Sequence, residues 1–355
     1  MGLAELAAAV REGRSTSSAL VASSLERIER SNGPVNAVIS TRADEALADA
    51  AAMDARVAAG EDPGVLAGLP LLVKDTEDCA GLPTTFGSLL RKDAPPAERD
   101  CEAVARLRAA GAVVVGKTNT PEFAFEGFTS NRLFGDTRNP WAMDWSPGGS
   151  SGGSGAALAM GLAPLATGTD GGGSIRIPAA FCGLVGLKPT NGLIGRDPAP
   201  SWIDVSTKGP LSVSVADAAL LLDVLRGPAD GDPTALPDWT PRRAPRPSRL
   251  LVTARMVDYG PLPAAIASLF DDAVGALEAA TGLTAEPTEA PFPEQIDTDW
   301  FTLVGLEELR GSAGASWPSA PASSRRTCEG PWSMPPRLPR TTTSRRGVAG
   351  SSSSR

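Results

Sequence analysis

The chain has 355 residues, 42% of them hydrophobic, and a formal net charge of −8. This length and apolar content suffice for one large domain or two ordinary ones with a sizeable core. The negative charge argues against nucleic acid as a partner, because phosphate binding needs a basic face. No apolar run reaches the roughly 20 residues that span a bilayer, and the N-terminus lacks the basic start of a secretory signal. We therefore expect no membrane partner and a cytoplasmic location.

The chain contains no histidine, and its four cysteines form no C-x-x-C pair. The sequence therefore predicts reduced thiols and no metal site. The absence of histidine also excludes every Ser-His-Asp, Cys-His and His-metal mechanism. Lysine, unlike arginine, can act as a base when its pKa is lowered. The chain has five lysines that qualify: Lys74, Lys92, Lys117, Lys188 and Lys208.

The order of apolar and turn-forming residues predicts alternating helices and strands. Residues 68–74, GLPLLVK, are a short apolar run, which predicts a buried strand that ends on Lys74. Helical spacing predicts helices at residues 3–31, 43–59, 101–110, 156–163, 215–226 and 262–281, and β-branched residues predict a strand at 112–115. Glycine predicts irregular turns at 146–155 and 164–178, and proline predicts a loop at 227–248. The alternation is typical of an α/β domain with a central sheet.

The last 45 residues, 311–355, differ from the rest in composition. They contain seven arginines, six prolines and one glutamate, with no hydrophobic period. Such a segment does not bury enough apolar surface to offset its chain entropy. We expect a domain boundary near residue 310 and a disordered tail, of the kind that a reading-frame change or a truncated gene product creates. The competing interpretation, a basic tail docked on the acidic body, is weakened by salt screening.

Two short motifs match the sequence literally but lack their structural context. Residues 111–118, GAVVVGKT, fit the phosphate-loop pattern, yet the residues between the glycines themselves have strand character. We therefore interpret Lys117 as structural. Residues 148–152, GGSSG, fit the nucleophile-elbow pattern, which needs a histidine partner that the chain does not have.

The remaining signal is a Gly/Ser-rich segment that starts at Gly148. Within it, the run from Asp170 to Ser174, DGGGS, allows several backbone N–H groups to point into one concavity, as an oxyanion hole requires. Ser174 is placed to attack a carbonyl held there. A second Gly-rich loop offers Ser150 and Ser151, and Lys74 offers a base.

This segment resembles the amidase signature of a family of serine hydrolases. Three neighbouring runs resemble it as well: GLPLLVKDTEDCAGLPTTFGS at 68–88, GKTNTPEF at 116–123 and FGDTRNPW at 134–141. The resemblance extends less densely from the N-terminal helix to about residue 310. It implies a single α/β domain in which α-helices enclose a large mixed β-sheet. That domain is expected to be incomplete at its C-terminal end, because family members are usually longer.

The resemblance also implies a Ser–cis-Ser–Lys triad. The lysine of the VKD run is Lys74, the first serine of GGSSGG is Ser150, and the serine that closes TDGGGS is Ser174. Neutral Lys74 is expected to accept a proton from Ser150, which accepts one from Ser174, without a metal or organic cofactor. The same resemblance implies a cis peptide between Gly149 and Ser150. The apolar run Leu71-Leu72-Val73 before Lys74 indicates burial, which predicts a Lys74 pKa well below its usual value of about 10.4.

Four consecutive backbone N–H groups correspond to the family's oxyanion hole: those of Gly171, Gly172, Gly173 and Ser174. Position 171 is glycine where the family usually carries a larger residue such as Thr or Ile. That change keeps the N–H group and adds flexibility. Asp170 and Arg176 are expected to support the loop from below as an ion pair.

The predicted function is hydrolysis of a small-molecule carboxamide to a carboxylic acid and ammonia or an amine, through an acyl-enzyme. Two alternatives stay open: a glutaminase-type subunit of a tRNA-dependent amidotransferase, and an inactive remnant whose fold no longer closes. The sequence leaves the substrate unnamed and a homodimer undecided.

Overall fold

A computed structural model describes residues 1–198, 202, 205–237, 247–255, 261–289, 291–292 and 296–313. Contacts between residues group Met1–Arg310 into one compact unit and Gly311–Arg355 into a second. Of the second unit only residues 311–313 are described, and they are helical. The disorder predicted for the tail therefore concerns residues that lie, from 314 onward, outside the described part.

The helices of the described part are α1 (Leu3–Arg11), α2 (Ser17–Val35), α3 (Ala43–Ala58), α4 (Glu102–Ala109), α5 (Gly152–Ala159), α6 (Arg176–Cys182), α7 (Val215–Leu225), α8 (Ala264–Thr281) and α9 (Ile296–Ala313). Its strands are β1 (Val38–Thr41), β2 (Pro70–Lys74), β3 (Val113–Thr118), β4 (Ser130–Asn131), β5 (Gly135–Asp136), β6 (Leu165–Ala166), β7 (Thr169–Asp170), β8 (Val185–Gly186), β9 (Thr207–Lys208), β10 (Leu211–Ser212), β11 (Leu250–Val252) and β12 (Ala285–Pro287). Among these helices, none is long and apolar enough to cross a membrane.

A mixed sheet of six strands, in the order β1-β3-β2-β6-β10-β8, forms the centre of the fold. Strand β2 pairs in parallel with β3 and β6, whereas β1 and β10 pair antiparallel to their neighbours. The predicted α/β fold with a large mixed sheet is confirmed.

Helices cover both faces of this sheet, which is why every residue of β2 is buried. Successive side chains of a strand point to opposite faces. Leu71 and Val73 join a cluster with residues of α1, α4 and α7, and Leu72 joins a second cluster with residues of α2, α3, α5 and α6. The strand therefore lies between two apolar layers. Lys74 is two residues after Leu72, so its side chain points to the same face, the one covered by α5 and α6.

Most predicted elements are confirmed, including the strand that ends on Lys74 and the helices α3, α4, α7 and α8. The single helix predicted over residues 3–31 is wrong, because the chain forms α1 and α2 with a break between Arg11 and Ser17. Thr16 caps α2 by accepting a hydrogen bond from the Ala19 N–H at 3.0 Å. Apolar spacing continues across such a break, so spacing alone did not reveal the new N-terminus.

The irregular turn predicted over residues 146–155 is wrong at its C-terminal end, because helix α5 begins at Gly152. A β-carbon at Gly153 would lie 2.4 Å from the Asn119 backbone nitrogen, which real contacts do not allow. These glycines therefore permit close packing of a helix against the loop after β3, and helix propensity is overridden by tertiary packing.

Lys117 lies inside β3, in the segment that matched the phosphate loop. Its ammonium donates to the Glu77 carbonyl at 2.5 Å and the Thr84 hydroxyl at 3.2 Å, and it lies 3.8 Å from the Asp75 carboxylate. A backbone paired on both sides in a sheet has no N–H groups left to cradle a phosphate. The structural interpretation of Lys117 is confirmed.

We expect Leu72→Ala to lower the free energy of unfolding by about 2–5 kcal/mol, because it removes a fully buried side chain between β2 and the helices of one face. Leu90→Ala, at a position 65% exposed, is the matched control and should change that free energy by less than about 0.5 kcal/mol. Urea unfolding of both variants measures the difference. Equal effects would contradict the central position of β2.

Candidate active site

Lys74 is the last residue of β2, and its side chain is completely buried. Its backbone N–H donates to the Thr167 hydroxyl at 2.8 Å, just beyond the neighbouring strand β6. The strand therefore delivers the lysine below the loop that precedes α5, where the two Gly/Ser-rich segments meet.

Three hydroxyl groups surround the Lys74 amine. Its Nζ lies 2.7 Å from Ser150 Oγ, 3.0 Å from Ser151 Oγ and 2.8 Å from Thr169 Oγ1. A neutral amine has two N–H donors and one lone pair. Two of the hydroxyls can thus accept from the amine while the third donates to it. The cage satisfies a neutral lysine without any carboxylate within hydrogen-bond distance among the described residues.

Burial lowers the pKa of Lys74 from its ordinary value to about 7, although the charges of Glu77 and Asp170 act in the opposite direction. Desolvation disfavours the charged ammonium, and no partner near Nζ offsets that cost fully. The predicted depression of this pKa is confirmed. At neutral pH a large fraction of the amine is therefore unprotonated and able to accept a proton.

The peptide bond between Gly149 and Ser150 is cis, as predicted. The Thr120 hydroxyl donates to the Ser150 carbonyl at 3.0 Å, and the Ser151 N–H donates to the Ser174 carbonyl at 3.2 Å. The first bond ties the Ser150 loop to the segment after β3, and the second ties it to the loop of Ser174. Ser150 and Ser174 both line one cavity of about 420 Å³, together with Thr169.

The Ser174 hydroxyl forms no hydrogen bond with any of the described residues, and it is partly exposed in the cavity. The structure thus brings Lys74 and Ser150 into direct contact and places Ser174 on the same wall. Hydrogen bonds to a reacting group are often long without substrate and tighten only in the complex.

Asp170 and Arg176 form the predicted ion pair, with bonds of 2.9 and 2.8 Å from the guanidinium to the two carboxylate oxygens. Asp170 also accepts from the N–H groups of Gly173 at 2.8 Å and Ile175 at 3.2 Å. Burial alone raises the pKa of Asp170, but the Arg176 guanidinium and these N–H groups outweigh it and lower that pKa. The carboxylate therefore organises the inside of the turn.

One of the four backbone N–H groups expected to bind an oxyanion is bonded to another acceptor. Because the Gly173 N–H donates to Asp170, it is not available to a ligand. Gly173 has φ +122°, a backbone conformation that residues other than glycine rarely adopt. The N–H groups of Gly171, Gly172 and Ser174 form no hydrogen bond within the described part of the chain.

A second lysine, Lys208, also lines this cavity. Its ammonium lies 3.1 Å from the Glu77 carboxylate and 3.1 Å from Cys101 Sγ. Burial alone lowers the pKa of Lys208, but Cys101 and Glu77 outweigh it and raise that pKa above its ordinary value. Lys208 is therefore held charged and cannot serve as a base near neutral pH.

Sequence reasoning named Ser151 only as a neighbour and missed Thr169 altogether. Thr169 lies directly before Asp170, so the segment that leads into the glycine turn also supplies a hydrogen-bond partner of the Lys74 amine. A signal was present: a buried lysine needs hydroxyl or carbonyl partners, and Ser151 and Thr169 are the hydroxyl residues next to the predicted serine and aspartate.

The family model described as Amidase matches residues 19–313, which is most of the chain. The chain belongs to the amidase family. Its α/β architecture agrees with the crystal structure of a bacterial aryl acylamidase of the amidase signature family, with a TM-score of 0.80 and 30% identity, covering 88% of this chain and 66% of that one.

Curated relatives show the same membership of the amidase family. The chain is 49% identical to the putative amidase AmiB2 of Mycobacterium tuberculosis over 223 residues, 62% of this chain and 48% of the relative. It is 45% identical to a glutamyl-tRNA(Gln) amidotransferase subunit from Chromohalobacter salexigens over 243 residues, 67% of this chain and 50% of the relative. The chain thus spans about half the length of the curated relatives it matches.

We expect Asp170→Asn to lower the free energy of unfolding at pH 7 by about 2–4 kcal/mol, because the amide accepts from Arg176 and the turn less strongly. The folded-state pKa of Asp170 is lowered. Its stabilisation is therefore present above the ordinary value of about 3.9 and is lost as pH falls through the lower folded-state value. The difference between wild type and variant should shrink below about pH 4.

Asp144→Asn, at an exposed position, is the control for this change and should leave unfolding unaltered at both pH values. Denaturant titrations of the three proteins at pH 7 and pH 3.5 provide the measurement. An Asp170→Asn variant as stable as wild type at pH 7 would show that the ion pair does not hold the turn.

Proposed function

We propose that this chain hydrolyses the C–N bond of a small carboxamide through an acyl-enzyme on Ser174. Ser150 relays the proton and Lys74 is the base. One observation carries the proposal: the buried Lys74 amine, with its pKa lowered to about 7, contacts Ser150 Oγ at 2.7 Å next to a cavity that Ser174 also lines. A base must lie within hydrogen-bond reach of the proton it takes and titrate near the working pH.

The proposed reaction has two halves. In the first, Ser174 Oγ attacks the amide carbon, its proton passes to Ser150, and the proton of Ser150 passes to the Lys74 amine. Collapse of the tetrahedral intermediate breaks the C–N bond, and the relay returns a proton to the leaving nitrogen. In the second half, water attacks the acyl carbon and gives a proton to the same relay. The ester bond to Ser174 then breaks, the carboxylic acid leaves, and Ser174 Oγ regains a proton. No metal or organic cofactor enters either half.

Backbone N–H groups are proposed to bind the oxyanion of the intermediate. Those of Gly171, Gly172 and Ser174 are free of other partners among the described residues, whereas that of Gly173 is occupied by Asp170. Donors fixed in this way stabilise an oxyanion more strongly than mobile water molecules do, because they need no reorganisation as charge develops. Asp170 and Arg176 are proposed to stabilise the turn without touching the substrate.

The proposed substrate class is a small or aryl carboxamide, supported by a cavity of about 420 Å³ whose wall includes Phe86, Phe123 and Trp202. Similarity to an aryl acylamidase is consistent with this class. A second candidate is the glutaminase reaction of an amidotransferase, favoured by the 45% identity to a protein of that kind. Turnover of an anilide by the purified chain alone supports the first, and turnover of glutamine only with partner subunits supports the second.

Removal of the nucleophile or the base is expected to abolish hydrolysis. We expect Ser174→Ala and Lys74→Ala each to lower kcat by at least about 10⁴-fold, whereas Ser150→Ala leaves a weaker residual rate, about 10²- to 10⁴-fold below wild type. Steady-state hydrolysis of an anilide measures these rates. A fluorophosphonate probe, followed by mass mapping, should modify Ser174 in the wild type.

Ser154→Ala is the matched control, because Ser154 lies four residues after Ser150, within α5, and its hydroxyl is hydrogen-bonded to the Thr118 hydroxyl at 2.7 Å. This variant should keep the fluorophosphonate reaction and the hydrolysis. Undiminished turnover in Ser174→Ala, or labelling at another serine, would overturn the assignment. A folded wild type that neither hydrolyses amides nor reacts with the probe would identify the chain as an inactive remnant.

Activity should rise with pH. The base must be neutral to accept a proton, and the neutral fraction of a lysine grows as pH rises through its pKa, which for Lys74 is about 7. We expect kcat/KM to increase about tenfold per pH unit below that value and to level off above it. Rates measured between pH 5.5 and 9 test this. A flat profile over that range would exclude Lys74 as the base.

A further inference from the structure

Four aromatic side chains pack together, and two of them, Trp202 and Trp300, lie next to Gly171 and Gly172; the other two are Phe125 and Phe301. The Trp202 and Trp300 rings meet edge to face, with centroids 5.9 Å apart. Trp202 lines the cavity of Ser150 and Ser174, whereas Trp300, from helix α9, packs against the turn. A helix far along the chain thus supports the loop that carries the proposed oxyanion donors.

The Trp300 indole donates its Nε1–H to the Gly171 carbonyl at 2.7 Å. The C=O and N–H groups of a trans peptide unit are antiparallel. A donor that fixes the direction of the Gly171 C=O therefore also fixes the Gly172 N–H, which points away from the indole. That N–H has no partner within the described residues, so its direction is set through the carbonyl.

The rings also occupy the space that side chains at positions 171 and 172 would need. A β-carbon at Gly171 would lie 2.8 Å from Trp202 Cε3, and one at Gly172 would lie 2.6 Å from Trp300 Cζ2. Three consecutive glycines are intrinsically flexible, which weakens any arrangement of donors. The packed rings restrict this flexibility from outside the turn.

We propose that Trp300 is a positioning residue for the oxyanion-binding turn: its indole N–H holds the Gly171–Gly172 peptide plane so that the Gly172 N–H faces the developing negative charge. The inference rests on the proposed function. Trp300 touches neither substrate nor Ser174 in this role and acts through the backbone. Its contribution belongs to the transition state and the tetrahedral intermediate, because negative charge on the carbonyl oxygen develops only there.

Trp300→Phe removes the N–H donor and keeps an aromatic ring. Loss of an oxyanion donor lowers kcat by about 10²–10³-fold, so loss of its alignment is expected to lower kcat by about 10- to 100-fold while KM for an anilide stays within about twofold. The variant should also bind a phenyl trifluoromethyl ketone, which becomes an oxyanion when serine adds to it, about 10- to 100-fold more weakly.

Trp141→Phe is the matched control. The Trp141 indole also donates to a backbone carbonyl, that of Cys182 at 2.9 Å, but this carbonyl lies outside the turn. The control should retain wild-type kcat and ketone affinity. If Trp300→Phe proves unstable in thermal melting, benzothienylalanine at position 300 replaces the N–H by sulfur in a ring of nearly the same size and should give the same loss of kcat.

Each outcome bears on a different claim. An active wild type with kcat and ketone affinity unchanged in the position-300 variants overturns the role of Trp300 and leaves the proposed hydrolysis intact. A rise in KM with constant kcat also overturns it, because that pattern indicates a substrate contact. A wild type that neither hydrolyses amides nor reacts at Ser174 overturns both proposals.

Discussion

Burial of the Lys74 amine, which favours its uncharged form, is the constraint on which the proposed site depends. Lys74 ends a strand that is covered on both faces, so its amine lies where an ammonium ion is poorly solvated. Its neighbours at hydrogen-bond distance are hydroxyls, which satisfy a neutral amine and exert little pull on a proton. Glu77 and Asp170 are charged and close enough to raise its pKa, yet burial outweighs them. The pKa of about 7 is a compromise between these opposing effects.

Asp170 connects this electrostatic balance to the geometry of the glycine turn. The same carboxylate that raises the Lys74 pKa accepts hydrogen bonds from Arg176 and from two backbone N–H groups of the turn. If Asp170 were less firmly paired, it would become protonated at a higher pH. The turn would then lose hydrogen bonds, and the Lys74 pKa would fall further. The bidentate bond from Arg176 therefore keeps Asp170 ionised, and the turn organised, well into the acid range. Lys208, in contrast, is kept charged by Glu77 and Cys101, which supports Lys74 as the proposed base.

Much of the fold could be predicted from the sequence, because local patterns specify it, and the proposed site residues follow from the same patterns together with the family resemblance. The apolar run that ends on Lys74 specifies a buried strand, and the glycines around Ser150 and Ser174 specify tight turns. Other features depend on tertiary contacts. Helix α5 includes glycines because Asn119 leaves no room for a β-carbon at Gly153. The involvement of the Gly173 N–H with Asp170 depends on the exact course of the turn, which composition does not reveal.

The glycine run itself follows from what surrounds it. A turn of three glycines loses much conformational entropy on folding, so it stays ordered only if other contacts fix it. Asp170 fixes its C-terminal end through the Gly173 N–H, and Trp300 fixes its N-terminal end through the Gly171 carbonyl. The order of the turn is therefore established when the protein folds, before any substrate arrives. Oxyanion donors that are already aligned add nothing to the activation barrier, and this is the condition under which a backbone nest stabilises a transition state most strongly.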